Sequence, residues 1–280
     1  METDKPGMRL EDEMQAVGSH ADGTLLAGRI DQVGVILFNR PEKLNAINMK
    51  MWDGVAEALD VMERDSDVRV VIYAGAGGKA FTAGADISEF AARRATAQAD
   101  TEFSQITARG RDRLANFPKP SIACIQGFCL GGGMVVAMQA DLRIASHDAV
   151  FGIPVARLGI HYPLEYTELL ISLVGPSRAR LMLFTARRFN SREAFDIGLV
   201  DVLAPKDVVG ESVDLARTIA NNAPLSVQAS KFTIEQALKE PVRRDLASLD
   251  AYTQRCVESA DYREGQQAFR EKRNPVFTGA

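Results

Sequence analysis

The chain has 280 residues, 46% hydrophobic and 25% charged, ordinary globular usage that excludes a disordered, collagenous or long coiled-coil protein. A chain of this length buries roughly three quarters of its unfolded surface, so it needs neither disulfides nor a structural metal to fold. Thirty-three basic against thirty-seven acidic residues leave a net charge of −4, with no general attraction to nucleic acid or to acidic membranes.

Residues 1–22 are polar and acidic and read as a flexible lead-in, not a signal or transit peptide. Short Val- and Ile-rich runs at 25–30, 33–38, 68–74, 121–125 and 142–146 read as strands, most of them bounded by Gly, Pro, Asn or Asp. Asn48 is placed to cap a helix whose apolar residues Trp52, Val55, Leu59 and Met62 recur at three- and four-residue steps. A second helix is expected over 99–117, stopped by Pro118 and Pro120. Strands alternating with helices predict an α/β core over 23–205. Beyond Pro163 the pattern turns nearly all helical, at 166–174, 177–185, 191–197, 207–221, 225–238 and twice more after Pro241. No Ser/Gly-rich linker intervenes, so 206–280 reads as a helical region docked on the core.

Residues 122–140 (IACIQGFCLGGGMVVAMQA) carry no charge over nineteen positions, close to the ~20 that a membrane span needs. Three consecutive glycines favour a buried strand, a glycine turn and a buried helix instead. Cys124, Cys129 and Cys256 are an odd number without a CxxC, as expected of reduced core thiols in a cytoplasmic protein. His20, His147 and His161 are scattered and no HExxH or GxSxG occurs, so no metal site and no hydrolase triad is expected. Residues 75–80 (GAGGKA) satisfy a GxGxxA pattern, but Gly84 follows within four residues, where a dinucleotide loop must open into a helix. Lys79 is followed by Ala80, which removes the phosphate-loop alternative.

Two glycine segments remain, 80–87 (AFTAGADI) and 127–135 (GFCLGGGMV). Each follows a strand signal and leads into a helix, so each can bring main-chain N–H groups close to a ligand oxygen. Two such N–H groups aimed at one carbonyl form an oxyanion hole for an enolate or a tetrahedral intermediate.

Together with 39–46 (NRPEKLNA), 141–151 (DLRIASHDAVF), 194–200 (AFDIGLV) and 264–273 (EGQQAFREKR), these segments resemble the crotonase superfamily, the enoyl-CoA hydratase/isomerase family. The resemblance covers roughly 23–280. It implies an α/β fold, a spiral of ββα turns with a C-terminal helical region that builds a homotrimer or a dimer of trimers. It also implies an acyl-CoA thioester as substrate, the coenzyme A arriving on the substrate and no separate cofactor being needed. Carried over by position, the N–H groups of Ala85 and Gly132 form the oxyanion hole. Lys43, Leu44, Ala46, Ala83, Asp86, Ile87 and Gly131 line the CoA site, and Lys272 reaches the CoA phosphates.

Hydratases of that family use two glutamates, and the matching positions here hold Val135 and Val155. Valine can neither accept nor give a proton, and hydration needs both a base and an acid. The second position is also the base of the family's Δ3,Δ2 isomerases. Dienoyl isomerases and aryl-CoA dehalogenases place an acid eight positions beyond it, which is Pro163 here. Tyr162 aligns with a tyrosine of bacterial methylmalonyl-CoA decarboxylases, which also lack both glutamates but carry a histidine where this chain has Ala85. The expectation is enolate chemistry, decarboxylation or double-bond isomerisation, with Tyr162 or Glu165 handling the proton and His161 and Glu168 nearby. Against it stand simpler roles: Glu165 and Glu168 as helix first-turn charges, and Tyr162 as a packed aromatic. The whole chain could also serve as a non-catalytic acyl-CoA-binding homologue.

Overall fold

The computed structural model describes residues 8–86, 88 and 97–280. Among these, α1 (Leu10–Glu13) and β1 (Gln15–His20) precede β2 (Leu25–Ile30) and β3 (Val33–Phe38). β1 pairs antiparallel with β2, and β2 with β3. The expected lead-in is therefore corrected for residues 10–20, while 1–7 lie outside the described residues. Leu10 and Met14, four residues apart in an otherwise polar stretch, are both buried against the core, and that contact anchors the segment.

Every residue of β3 is buried, which is why it reads as a continuous apolar run without alternation. It sits inside a seven-stranded sheet that β4 (Val70–Gly75), β6 (Ser121–Ile125), β8 (Leu142–Ala145) and β11 (Val202–Leu203) extend in parallel, in the order β1-β2-β3-β4-β6-β8-β11. A smaller sheet runs β10-β9-β7-β5, from β5 (Ala80–Thr82), β7 (Phe128–Leu130), β9 (Val150–Gly152) and β10 (Phe189–Asn190). Strands β4, β6 and β8 in the large sheet are each followed by β5, β7 and β9 in the small one. The chain thus climbs as a spiral, each turn giving one strand to each sheet.

Side chains of the large sheet divide by parity between two cores. Ile36, Phe38, Val71, Tyr73, Ala123 and Ile125 face the first, and Val35, Leu37, Val70, Ile72, Ile122 and Cys124 the second. The first core is shared with the small sheet and with α2 (Met49–Arg64), whose Met51, Trp52, Val55, Leu59 and Met62 point into it. Asn48 caps α2 through its Oδ1, which accepts the Met51 N–H at 2.9 Å. α3 (Ala97–Ala115) packs against α2, and α4 (Gly132–Gln139) is almost wholly buried. The uncharged stretch 122–140 thus forms β6, β7 and α4, and among the described residues no helix is long and apolar enough to cross a membrane.

α5 (Leu164–Thr185) is broken at Gly175, which takes φ 75°, ψ 164° just before Pro176, so it behaves as the two helices its sequence suggests. α6 (Ser191–Asp196) begins with a reciprocal cap between Asn190 and Glu193. α7 (Val208–Ala220) lays Val208, Val209, Val213 and Ala216 on the second core. It therefore belongs to the core layering, and the protruding helical region begins after residue 220, later than the 206 expected. That region comprises α8 (Pro224–Leu238), α9 (Leu246–Glu258) and α10 (Ala260–Glu271). It is docked, as expected: Lys231 reaches Asp141 at 2.9 Å, and Arg69 bonds the carbonyls of Ala220 and Phe277 at 2.9 and 2.7 Å.

Candidate active site

The loop after β3 makes a 3-10 turn at Pro41–Lys43 and then two left-handed residues, Leu44 (φ 50°) and Asn45 (φ 55°). Asparagine tolerates that conformation and leucine does not, so something must hold the turn. Asn45 does so. It is wholly buried, its Nδ2 donates to the carbonyls of Ala76 (3.0 Å) and Ala80 (2.7 Å), and its Oδ1 accepts the Arg40 N–H (2.9 Å). The two segments expected to border CoA are thereby stitched together. Ala83 N–H donates to Leu44 O at 2.9 Å, Ile47 N–H to Gly84 O at 2.8 Å, and Asp86 N–H to Ile47 O at 3.0 Å.

That ladder decides which way Ala85 faces. Ile47 bridges Ala85 in parallel by bonding the residues on either side of it, so the Ala85 N–H points away from residue 47. On that other side lies the start of α4. Gly131, with φ 51° and ψ −111°, has a conformation closed to residues with a side chain; its N–H bonds Gly152 O at 2.9 Å. Gly84 (φ 106°) comes so close that an added Cβ would stand 2.9 Å from Leu130 O and 3.2 Å from Gly132 N. A Cβ on Gly132 would likewise stand 3.3 Å from Ala85 N. Neither the Ala85 nor the Gly132 N–H has an acceptor among the described residues, and both residues are half-buried, within reach of a ligand.

Tyr162 and Val155 pack against the first core. Among the described residues the buried Tyr162 hydroxyl has no hydrogen-bond partner. Burial pushes its phenol well above the ordinary tyrosine range, with smaller contributions from Tyr166 and Cys129. The Tyr166 ring lies 5.9 Å away, and its hydroxyl accepts the Arg111 guanidinium at 3.2 Å. Burial pushes Tyr166 up to about 12, Arg111 opposing and Glu165 reinforcing the shift. Val135 is buried in α4. Cys124 is buried and its thiol is pushed up to about 12 by desolvation, and burial raises Cys129 as well, which makes both poor nucleophiles.

Other expected residues are placed differently. Glu165, Glu168 and His161 are exposed, with Glu165 in the first turn of α5. Asp86 does not present its carboxylate to an open face; it is buried against Arg40 and Ser88. Lys43 is exposed on the loop, Leu44, Ala46, Ala83 and Gly131 are half-buried beside the ladder, and Ile87 lies outside the described residues. Lys272 is exposed in a left-handed conformation at the end of α10, and among the described residues it shares no hydrogen bond with Ala85 or Gly132. Among the described residues no group of three His, Cys, Asp or Glu could hold a metal ion. Asn45 and Arg40 were not singled out from sequence, although an asparagine two residues after Lys43 in a tight loop was a usable signal.

The family model for enoyl-CoA hydratase/isomerase matches residues 29–280. The chain belongs to that family. It is 37% identical to the short-chain-enoyl-CoA hydratase of Clostridium acetobutylicum, over 86% of this chain and 92% of that one. It is 34% identical to the crotonyl-CoA hydratase of Syntrophomonas wolfei, over 88% and 95%. The crystal structure of an enoyl-CoA hydratase/carnithine racemase from Magnetospirillum magneticum superposes with a TM-score of 0.87, at 33% identity, covering 93% of this chain and 97% of that one. As a member of the enoyl-CoA hydratase/isomerase family, the chain has the crotonase fold and is built for acyl-CoA chemistry.

Proposed function

We propose that this family member binds an acyl-CoA thioester with its carbonyl oxygen between the Ala85 and Gly132 N–H groups and stabilises the enolate that forms there. The observation that carries the reading is the pair of N–H groups without acceptors among the described residues, held side by side by Gly84, Gly131 and the 44–47 ladder. Leu44, Ala46, Ala83 and Gly131 border the thioester arm, with Ile87 next in sequence. Lys43 and Lys272 are the cations offered to the CoA phosphates, Lys272 from a neighbouring copy.

The proton chemistry is read from the residues that the family resemblance assigns to the α-carbon. By that resemblance Val135 and Val155 take the positions where hydration would need carboxylates. The Tyr162 phenol is protonated at neutral pH as any tyrosine is, and burial makes it a weaker acid still, so it can give its proton only to a strongly basic centre such as an enolate carbon. Decarboxylation uses such a donor best: the C–CO₂⁻ bond breaks, its electron pair becomes the enolate held by the two N–H groups, and the phenol protonates the α-carbon. Double-bond isomerisation would need a base as well, and Glu165, exposed in the first turn of α5 and three residues beyond Tyr162, is the nearest carboxylate in sequence. Hydration is the competing reaction, and the names of the two curated relatives favour it.

The test is direct. The purified protein, given malonyl-CoA, methylmalonyl-CoA and crotonyl-CoA separately in deuterated water, is expected to release CO₂ from a malonyl thioester and leave deuterium on the α-carbon. Hydration of crotonyl-CoA at about 1–10³ per second overturns the proposal. Thermal stabilisation by CoA thioesters with turnover of none of them would establish the binding homologue, a reading that the two valines also favour.

Assembly is part of the proposal. Leu238, Val242 and Phe269 are 74%, 88% and 85% exposed, and α9 has no buried residue, so the helical region after residue 220 leaves its apolar faces uncovered in a single chain. A trimer or a dimer of trimers covers them. Phe269→Glu combined with Leu238→Glu is expected to lower the mass seen by sedimentation to that of one chain; an unchanged mass would place the interface elsewhere. The buried, unpaired thiols of Cys124 and Cys129 fit a reducing, cytoplasmic setting.

A further inference from the structure

Arg40 and Asp86 stand on opposite sides of the ladder that presents Ala85. Arg40 Nη2 lies 2.9 Å from Asp86 Oδ2, with side chains only 14% and 9% exposed. The same guanidinium donates through Nη1 to Ala46 O at 2.8 Å, and the Arg40 N–H is taken by Asn45. The other carboxylate oxygen, Asp86 Oδ1, accepts the Ser88 N–H at 3.0 Å and the Ser88 hydroxyl at 2.6 Å. These Ser88 bonds, more than the opposing desolvation and the Arg40 contact, hold the Asp86 carboxyl below its ordinary range, so it remains ionised and paired.

One guanidinium thus grips the 44–47 loop by a carbonyl and the oxyanion segment by a carboxylate one residue beyond Ala85. The ladder between the two is short and lies outside the regular strands, where three hydrogen bonds alone would let the peptide planes rock. A buried ion pair contributes little net stability but defines one arrangement, since any other leaves a charge unpaired. An N–H donor loses strength steeply as it turns from its acceptor, and a misplacement of about 1 Å at a reacting centre can cost ~10²-fold in rate.

We propose that the Arg40–Asp86 pair is a positioning device that fixes the direction of the Ala85 N–H toward Gly132, and that Asp86 does not contact CoA. The inference rests on the oxyanion reading above and is testable apart from it. The full chain is saturated with butyryl-CoA isotopically labelled at the thioester carbonyl, and the carbonyl stretch of the bound ligand is read by infrared difference spectroscopy. The stretch in the wild type is expected at lower frequency than in free ligand. Asp86→Asn, which keeps the side-chain shape, is expected to lose at least about half of that downshift with butyryl-CoA affinity within about threefold, while the melting temperature falls because Arg40 is left buried without its counter-charge.

Arg40→Lys keeps the charge without the two-donor fork and is expected to fall between the two. Ser88→Ala, at an exposed position, is expected to shift in the same direction and serves where the buried variants do not fold. A full downshift in any of these variants that folds overturns the positioning role. No downshift in the wild type overturns the oxyanion reading itself.

Discussion

Gly132→Pro is expected to fold and yet to lose about 10²–10³-fold in turnover. Gly132 is the first residue of α4, a position whose N–H has no helical acceptor, so proline there deletes no helix bond. The carbonyl four residues back belongs to Phe128 in β7, outside the helix, so the ring does not meet the usual helical clash. The added atoms would press on Ala85 N, where a Cβ already comes to 3.3 Å, and a cost of about 1–3 kcal/mol is expected from that crowding. Thermal melts and α-proton exchange on the same preparation separate the two effects. A folded Gly132→Pro with undiminished exchange or turnover would end the oxyanion reading.

Tyr162→Phe should act on rate alone. The hydroxyl bonds to nothing among the described residues, so its removal orphans no partner and relieves a buried polar atom; stability should hold or rise slightly. If the phenol delivers the proton, turnover falls by about 10²–10⁴-fold. A merely packed aromatic would leave the rate unchanged. The sign of the pH dependence follows from burial. The folded phenol titrates above the unfolded value of about 10, so stability from keeping it neutral is complete below that pH and declines as pH rises past it. Activity should accordingly show no alkaline limb from Tyr162 below about pH 10. A limb near neutrality that disappears in Tyr162→Phe would contradict this.

Much of the architecture could be read from the chain because long elements repeat their signal. Trp52, Val55, Leu59 and Met62 mark three turns of α2, and six apolar residues in a row mark β3. The small sheet escaped notice: β5, β7 and β9 have three residues each and β10 has two, too few to display a period of two. β1 was hidden by its polar composition, its place fixed by pairing with β2 and not by its own side chains. At the site, the glycines were legible because backbone geometry demands them. The pairing of Asp86 with Arg40 and Ser88 was not legible, because a motif position says which residue is near a ligand without saying which way its side chain turns. Arg40 and Asn45 were passed over for a related reason: their partners are carbonyls and an aspartate 31 to 46 positions away, at Ala76, Ala80 and Asp86.

The two proposed oxyanion donors, on Ala85 and Gly132, are main-chain atoms. In the proposed reading their placement depends on turns, glycines and a clasp between Arg40 and Asp86, none of which is a reacting group, whereas the proton traffic would depend on interchangeable side chains such as those at 135, 155 and 162. Charge storage is thus inherited with the shape of the chain and acid–base function is rewritable one residue at a time. A scaffold divided in this way can change its reaction in small steps without first losing the ability to hold the intermediate.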